Sequence, residues 1–154
     1  MNRRRAREEA FIILFQLEFR KNLDELLEDF FEANENVGEQ ADYIRQICER
    51  ATQEREKIGE IIEKYSTNWK KDRISLVSLA VMRLATCEML YFDDIPNVVS
   101  LAEALELGKK FEGEESVGFI NGILENVRAE AEGAKPPVGD AVLSVPPEVL
   151  EVEK

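Results

Sequence analysis

Apolar residues recur along this chain with a period near 3.6 and almost nowhere with a period of two. Ala6, Ala10, Ile13, Leu14 and Leu17 fall on one stripe of a helix running from about residue 3 to 20. Leu23, Leu26, Leu27, Phe30 and Phe31 make a second stripe, with Asn22 placed to cap it. This spacing calls for amphipathic helices that bury their apolar faces against one another, and it leaves no sheet to organise the fold. After a polar break over residues 34–39, which contains Gly38, one long third helix is predicted. Ile44, Ile47, Cys48, Ala51, Ile58, Ile61, Ile62 and Tyr65 form its inner face, and it runs through Gly59, a residue that weakens a helix without having to end it. Residues 66–68 loosen the chain before Trp69.

The stretch from Ile74 to Phe92 is the most apolar. Leu76, Val77, Ala80, Val81, Leu84, Cys87, Met89 and Tyr91 cover more than one face, so this helix is expected at the centre, contacted on several sides. Asp93, Asp94, Ile95 and Pro96 end it. Proline is tolerated where a helix begins, so the next helix is expected from there to Lys110, with Val99, Ala102, Leu105 and Leu107 inward. Gly113 separates it from a last helix, roughly Glu115 to Glu132, lined by Val117, Ile120, Leu124 and Val127. A chain of 154 residues fits one domain, large enough to bury about two-thirds of its unfolded surface. The expected organisation is an all-α domain over residues 1–132 and a tail over 133–154 that holds four of the five prolines. The tail reads as mostly irregular, laid along the surface by Val142, Leu143, Val145, Val149 and Leu150, or as a partner-binding segment.

Composition narrows the function. There is no histidine, which removes the commonest general base at neutral pH and the commonest metal ligand. Carboxylates are abundant but lie in charge runs, and no glycine-rich phosphate loop follows a strand. The expectation is a protein that is not an enzyme and carries no cofactor and no metal. Cys48 and Cys87 fall on apolar helix faces and read as small buried hydrophobes rather than as a disulfide. No apolar run approaches the ~20 residues needed to span a bilayer, and the N-terminal charges precede no signal-peptide core, so a cytoplasmic chain with no membrane partner is expected.

Charge points the other way at one end. The formal net charge is −12, yet Arg3, Arg4, Arg5 and Arg7 precede every acidic residue. Exposed charges act over roughly 10 Å in cellular salt, so a small cationic patch can hold phosphates on an acidic molecule. An adaptor that touches RNA on this patch and a basic protein elsewhere satisfies both halves. The arginines also fit a plainer role, solubilising the start of a helix.

Four ordered segments resemble a known family. The opening RRRAREEAFIILFQ, the central RISLVSLAVMRLATCEMLYFDDIP, the following VVSLAEALELGKKF and the closing ESVGFINGILENV match, in order and spacing, the motifs of the bacterial N-utilization substance protein B family. The resemblance implies about seven helices in two packed bundles. It implies a transcription antitermination adaptor that pairs with ribosomal protein S10 (NusE), binds the boxA element of nascent RNA, and joins RNA polymerase with other Nus factors, notably in ribosomal RNA operons. Carried onto this sequence, Arg3, Arg4, Arg5 and Arg7 become the RNA-contacting cluster, with Phe15 and Gln16 extending it. Phe119 and Asn121 match last-helix positions near RNA. Phe119 is either a base-stacking ring or a core aromatic, and Lys109 and Lys110 either add positive potential or simply complete a helix C-terminus.

The resemblance also places Glu88 and Tyr91 near the S10 interface. Glu88 interrupts an apolar run and must reach water, a basic partner residue, or a salt bridge to Arg83 or Arg73. Glu114 and Glu115 serve either that interface or the cap of the last helix. The last helix is expected to pack near the first. Three departures stand out: Ser78 and Leu79 where the family commonly has Asp-Arg, Ala102 where it commonly has Asn, and the proline-bearing tail. They leave a second reading open, a protein-only helical scaffold that binds S10 with little or no RNA binding.

Overall fold

The computed structural model of the protein describes residues 1–19, 22–67 and 74–134. Trp69, Arg73 and the tail beyond residue 134 lie outside them. Seven α-helices occur among the described residues: α1 (Arg3–Gln16), α2 (Leu23–Ala33), α3 (Gln40–Gln53), α4 (Arg55–Tyr65), α5 (Leu76–Tyr91), α6 (Asn97–Phe111) and α7 (Val117–Ala134). Short 3-10 turns follow α1 at Leu17–Phe19 and precede α7 at Glu114–Ser116. α7 ends at Ala134, two residues past the expected domain boundary.

The starts of three helices follow from single side chains. Asn2, Asn22 and Ser75 stand in extended conformation, and each side chain accepts from the backbone N–H three residues on, satisfying a donor the helix leaves open. The predicted long third helix is two helices. Its break falls at Glu54 (φ −102°, ψ 20°), not at Gly59, which lies inside α4. Thr52 donates its hydroxyl to the Cys48 carbonyl at 2.8 Å, a back-bond that bends a helix, and the chain leaves helical geometry two residues later.

α1, α2 and α3 pack as one group and α4, α6 and α7 as another, while α5 touches α1, α3, α4, α6 and α7. The expected central helix is therefore the shared wall of the two groups. Its buried set, including Ala80, Val81, Met82, Leu84, Cys87 and Met89, goes most of the way round the helix. The last helix packs on α4, α5 and α6 rather than on α1, from which α5 separates it, contrary to the expected packing of the last helix near the first. Gly108 makes the contact of α6 with α7 possible: a Cβ there would stand 2.6 Å from Ile120 Cδ1 and 3.2 Å from Ser116 Oγ. Gly113 turns the chain at φ 127°, a conformation glycine adopts without strain. Cys48 and Cys87 are buried free thiols. No helix is long and apolar enough to cross a membrane among the described residues.

Candidate nucleic-acid interface

α1 presents its arginines to different surroundings. Arg4 and Arg5 are exposed, with side chains 45 % and 57 % accessible. Arg4 forks onto Glu103 of α6, Nη2 to Oε1 at 3.0 Å and Nε to Oε2 at 3.2 Å, and that hydrogen-bonded carboxylate holds its pKa above the ordinary value. Arg5 pairs along its own helix with Glu9 at 2.7 Å and Glu8 at 3.7 Å. Arg3 is half-buried; its Nε donates to Gln40 Oε1 at 2.6 Å and its guanidinium lies 4.2 Å over the Tyr43 ring. A cleft of ≈ 330 Å³ opens here, with Arg3 and Arg4 on one side and Asp94, Pro96 and Glu103 on the other.

Arg7 parts from the cluster. It is 5 % exposed, and its Nε donates to Glu88 Oε2 at 2.7 Å inside the core. Tyr43 donates its hydroxyl to the same oxygen, and Ser100 donates to Glu88 Oε1 at 2.7 Å. Burial disfavours the charged guanidinium, but the adjacent Glu88 carboxylate outweighs it and holds the Arg7 pKa above its ordinary value. The Tyr43 phenol is pushed well up, by burial first and by the charge of Glu88 second. Four residues from α1, α3, α5 and α6 thus close one polar knot. Arg7 is thus enclosed in the framework, apart from the exposed arginines, and Glu88, fully buried, is surrounded by Arg7, Tyr43 and Ser100. Arg83 pairs with Glu18, Arg73 lies outside the described residues, and the charged partner of Glu88 among them is Arg7. Both charges sit within apolar stripes of their own helices, which is the signal that would have paired them.

The C-terminal end of α6 adds the remaining cations. Lys110 reaches across to Glu8 of α1 at 2.9 Å, and Lys109 stands 3.4 Å from Glu114. Phe111, 37 % exposed, lies 4.9 Å from Phe11. Phe11, Phe15 and Phe19 continue as a ladder of rings down one face of α1, at 6.3 Å and 5.2 Å. Phe15 is half-buried and Gln16 exposed. Phe119 is half-buried against the core, and Asn121 is exposed one turn into α7. The structure therefore gathers Arg4, Arg5, Lys110 and Phe15 along the α1–α6 seam, with Lys109 and the first turns of α7 at its lower end. The sequence reading passed over Phe19 and Phe111, although Phe19 is the next step of the same i, i+4 stripe as Phe11 and Phe15.

The expected protein-binding residues divide in two. Tyr91 donates to Glu54 Oε2 at 3.2 Å and lies under Arg50, 4.6 Å from its ring centre. It lines a cleft of ≈ 570 Å³ with Gln46, Glu49, Arg50, Asp93 and Asp94. Glu114 and Glu115 are exposed beyond the opposite end of α6, whose 15 residues span about 22 Å. Of the departures from the family pattern, Ser78 is fully buried, its hydroxyl without a hydrogen-bond partner among the described residues, while Leu79 and Ala102 are half-buried. No group of histidine, cysteine or acidic side chains suited to a metal ion occurs among the described residues.

Comparison with known proteins agrees with this architecture. The model of the NusB family matches residues 4–129. The transcription antitermination protein NusB of Natranaerobius thermophilus is 43 % identical over 139 residues, covering 88 % of this chain and all of the relative. Among solved structures, NusB of T. maritima superposes with a TM-score of 0.77 at 34 % identity, covering 84 % of this chain and 92 % of the other. A complex of the antitermination factors NusB and NusE with double-stranded RNA contains a chain that superposes with a TM-score of 0.73 at 27 % identity, covering 84 % and 99 %. With its seven helices in the family's arrangement and the family's sequence running nearly end to end through them, the chain belongs to the NusB family of transcription antitermination proteins.

Proposed function

We propose that this chain is an antitermination adaptor that pairs with ribosomal protein S10 (NusE), binds boxA RNA through the α1–α6 seam, and works with RNA polymerase and other Nus factors to modulate termination in ribosomal RNA operons. The observation that carries the RNA half is the seam itself. On a chain of net charge −12, Arg4, Arg5 and Lys110 stand exposed beside the rings of Phe15 and Phe111. Cations that track phosphates beside aromatics that stack bases are what a single strand requires. Phe119, Asn121, Gln16 and Lys109 border the same surface.

The S10 half draws support from the cleft at Tyr91, where Glu49, Asp93 and Asp94 outnumber Arg50 and suit a basic partner. Glu88 supports that face from within, by tying α5 to α1, α3 and α6. Glu114 and Glu115 belong to the far end of α6 and serve S10 only if the partner extends along that helix.

A second reading, a scaffold that binds S10 with little RNA affinity, is favoured by one observation: Arg4, Arg5 and Lys110 already have carboxylates within the chain. Filter binding of boxA RNA at two salt concentrations, with and without S10, separates the two. The adaptor shows affinity that falls steeply with salt, by about 0.7 counterion per phosphate contact, and that drops when Arg3, Arg4 and Arg5 are replaced together by Ala. Equal binding by wild type and the triple variant supports the scaffold.

A further inference from the structure

Where α1 ends, a second cationic group lies apart from the N-terminal arginines. Glu18, in the turn after α1, meets two guanidiniums at one oxygen: Arg55 Nη2 stands 2.9 Å from Oε1, and Arg83 Nη1 bonds the same atom. One carboxylate thus serves two guanidiniums brought from α4 and α5. Arg83 Nε is buried without a hydrogen-bond partner among the described residues. The Arg83 pKa lies below its ordinary value, through burial first and the repulsion of Arg55 second, which Glu18 does not offset. Arg55 remains 46 % exposed, so the uncompensated charge faces solvent. Phe19, the next residue after Glu18, is 57 % exposed, the most accessible of the large apolar side chains described. Its ring packs edge-on against Phe15 at 5.2 Å, which holds it as the last step of the aromatic ladder.

We infer that the Glu18–Arg55–Arg83 group is a phosphate seat for a single strand of RNA, with Phe19 stacking the adjoining base. The inference rests on the proposed RNA-binding role and extends it: the strand entering at Arg4 and Arg5 is followed along α1, about 21 Å in length, to a second anchor at its far end. A phosphodiester there supplies the negative charge that the two guanidiniums lack, and Arg55 can turn to it while Arg83 stays on Glu18. A basic protein segment is excluded by the sign of the charge.

The test is titration of boxA RNA against the complex with S10, for wild type and for Arg55→Ala, Phe19→Ala and Glu18→Gln. Each variant is accepted only if its thermal unfolding and helicity match wild type. The expected results are weaker binding and a salt slope reduced by about 0.7 for Arg55→Ala, where one phosphate contact is lost. Phe19→Ala should weaken binding at least about fivefold, the lower end for one stacked base. Glu18→Gln should bind more tightly, because it frees both guanidiniums for phosphate; loss of a merely structural bridge would not tighten RNA. The same proteins are titrated with inorganic phosphate to distinguish a small-ion seat. If wild type binds RNA, the Arg3/Arg4/Arg5 variant loses it, and these three variants do not change it, the far anchor is overturned and the adaptor role stands, whether or not free phosphate binds. If wild type binds no RNA with S10 present, both fall together.

Discussion

Arg7 of α1 and Glu88 of α5, 81 residues apart in sequence, meet at 2.7 Å in the interior, where each is almost wholly removed from water. Removing either partner leaves the other charge buried and uncompensated. Arg7→Ala and Glu88→Ala are each expected to cost about 3–5 kcal/mol in urea unfolding. Arg7→Lys does not restore the loss, because an ammonium cannot reproduce the planar donor geometry. Any fall in S10 or RNA affinity in these variants should track the loss of folded protein, unlike the effect of replacing Arg4 and Arg5.

Two glycines should respond to the same substitution with opposite sign. A Cβ at Gly59 meets nothing within 4 Å, so Gly59→Ala should stabilise α4 by about 0.5–1 kcal/mol through helix propensity alone. At Gly108 the new methyl would stand 2.6 Å from Ile120 Cδ1, in a side chain that is fully buried and cannot swing away. Gly108→Ala should therefore be destabilising by about 1 kcal/mol or more, overpacking exceeding propensity. Paired denaturation curves read both signs.

Alkaline pH should weaken the fold at Tyr91. Burial, and then its hydrogen bond to Glu54, push the phenol from 10.0 up to about 12. A raised folded pKa means that stability is intact below the unfolded value and is lost as pH climbs through the folded one. The loss should fall between pH 10.0 and about 12. Phenolate absorbance should show one tyrosine titrating late in wild type and absent in Tyr91→Phe, with a flatter stability profile over that range. Tyr43, whose phenol burial holds well above its ordinary value, should stay protonated until unfolding.

The thiols should be silent in the native protein. Burial first, with the charges of Glu49 near Cys48 and Glu88 near Cys87 adding to it, pushes both thiol pKa values up. A colourless-to-coloured disulfide reagent should therefore react with neither cysteine in buffer and with both in urea. Fast native labelling of either would mean that α3 and α5 part readily.

The helices were legible because their apolar stripes are regular and their caps local. Asn22 and Gly113 sit where the sequence placed helix boundaries, and the run from Ile74 to Phe92 did prove central. The break at Glu54 was hidden, since it arises from a threonine back-bond and from what α3 and α4 each pack on, and neither leaves a breaker residue. The burial of Arg7 is masked by its neighbours in the sequence, the half-buried Arg3 and the exposed Arg4 and Arg5, although its spacing from Ala10, Phe11 and Leu14 places it on the buried face. The cationic group at Glu18 was invisible in sequence because its members come from residues 18, 55 and 83 and only the packing of α1, α4 and α5 joins them.

The position of α5 also sets the order in which the chain can become a protein during synthesis. α1 to α4 emerge from the ribosome before the wall on which α1, α3 and α4 all lean. Until Glu88 appears, Arg7 is a cation on a helix face with no counter-charge to enclose it, so that face has every reason to stay wetted. More than half of the 154 residues are thus made before the carboxylate that can enclose the charge of Arg7.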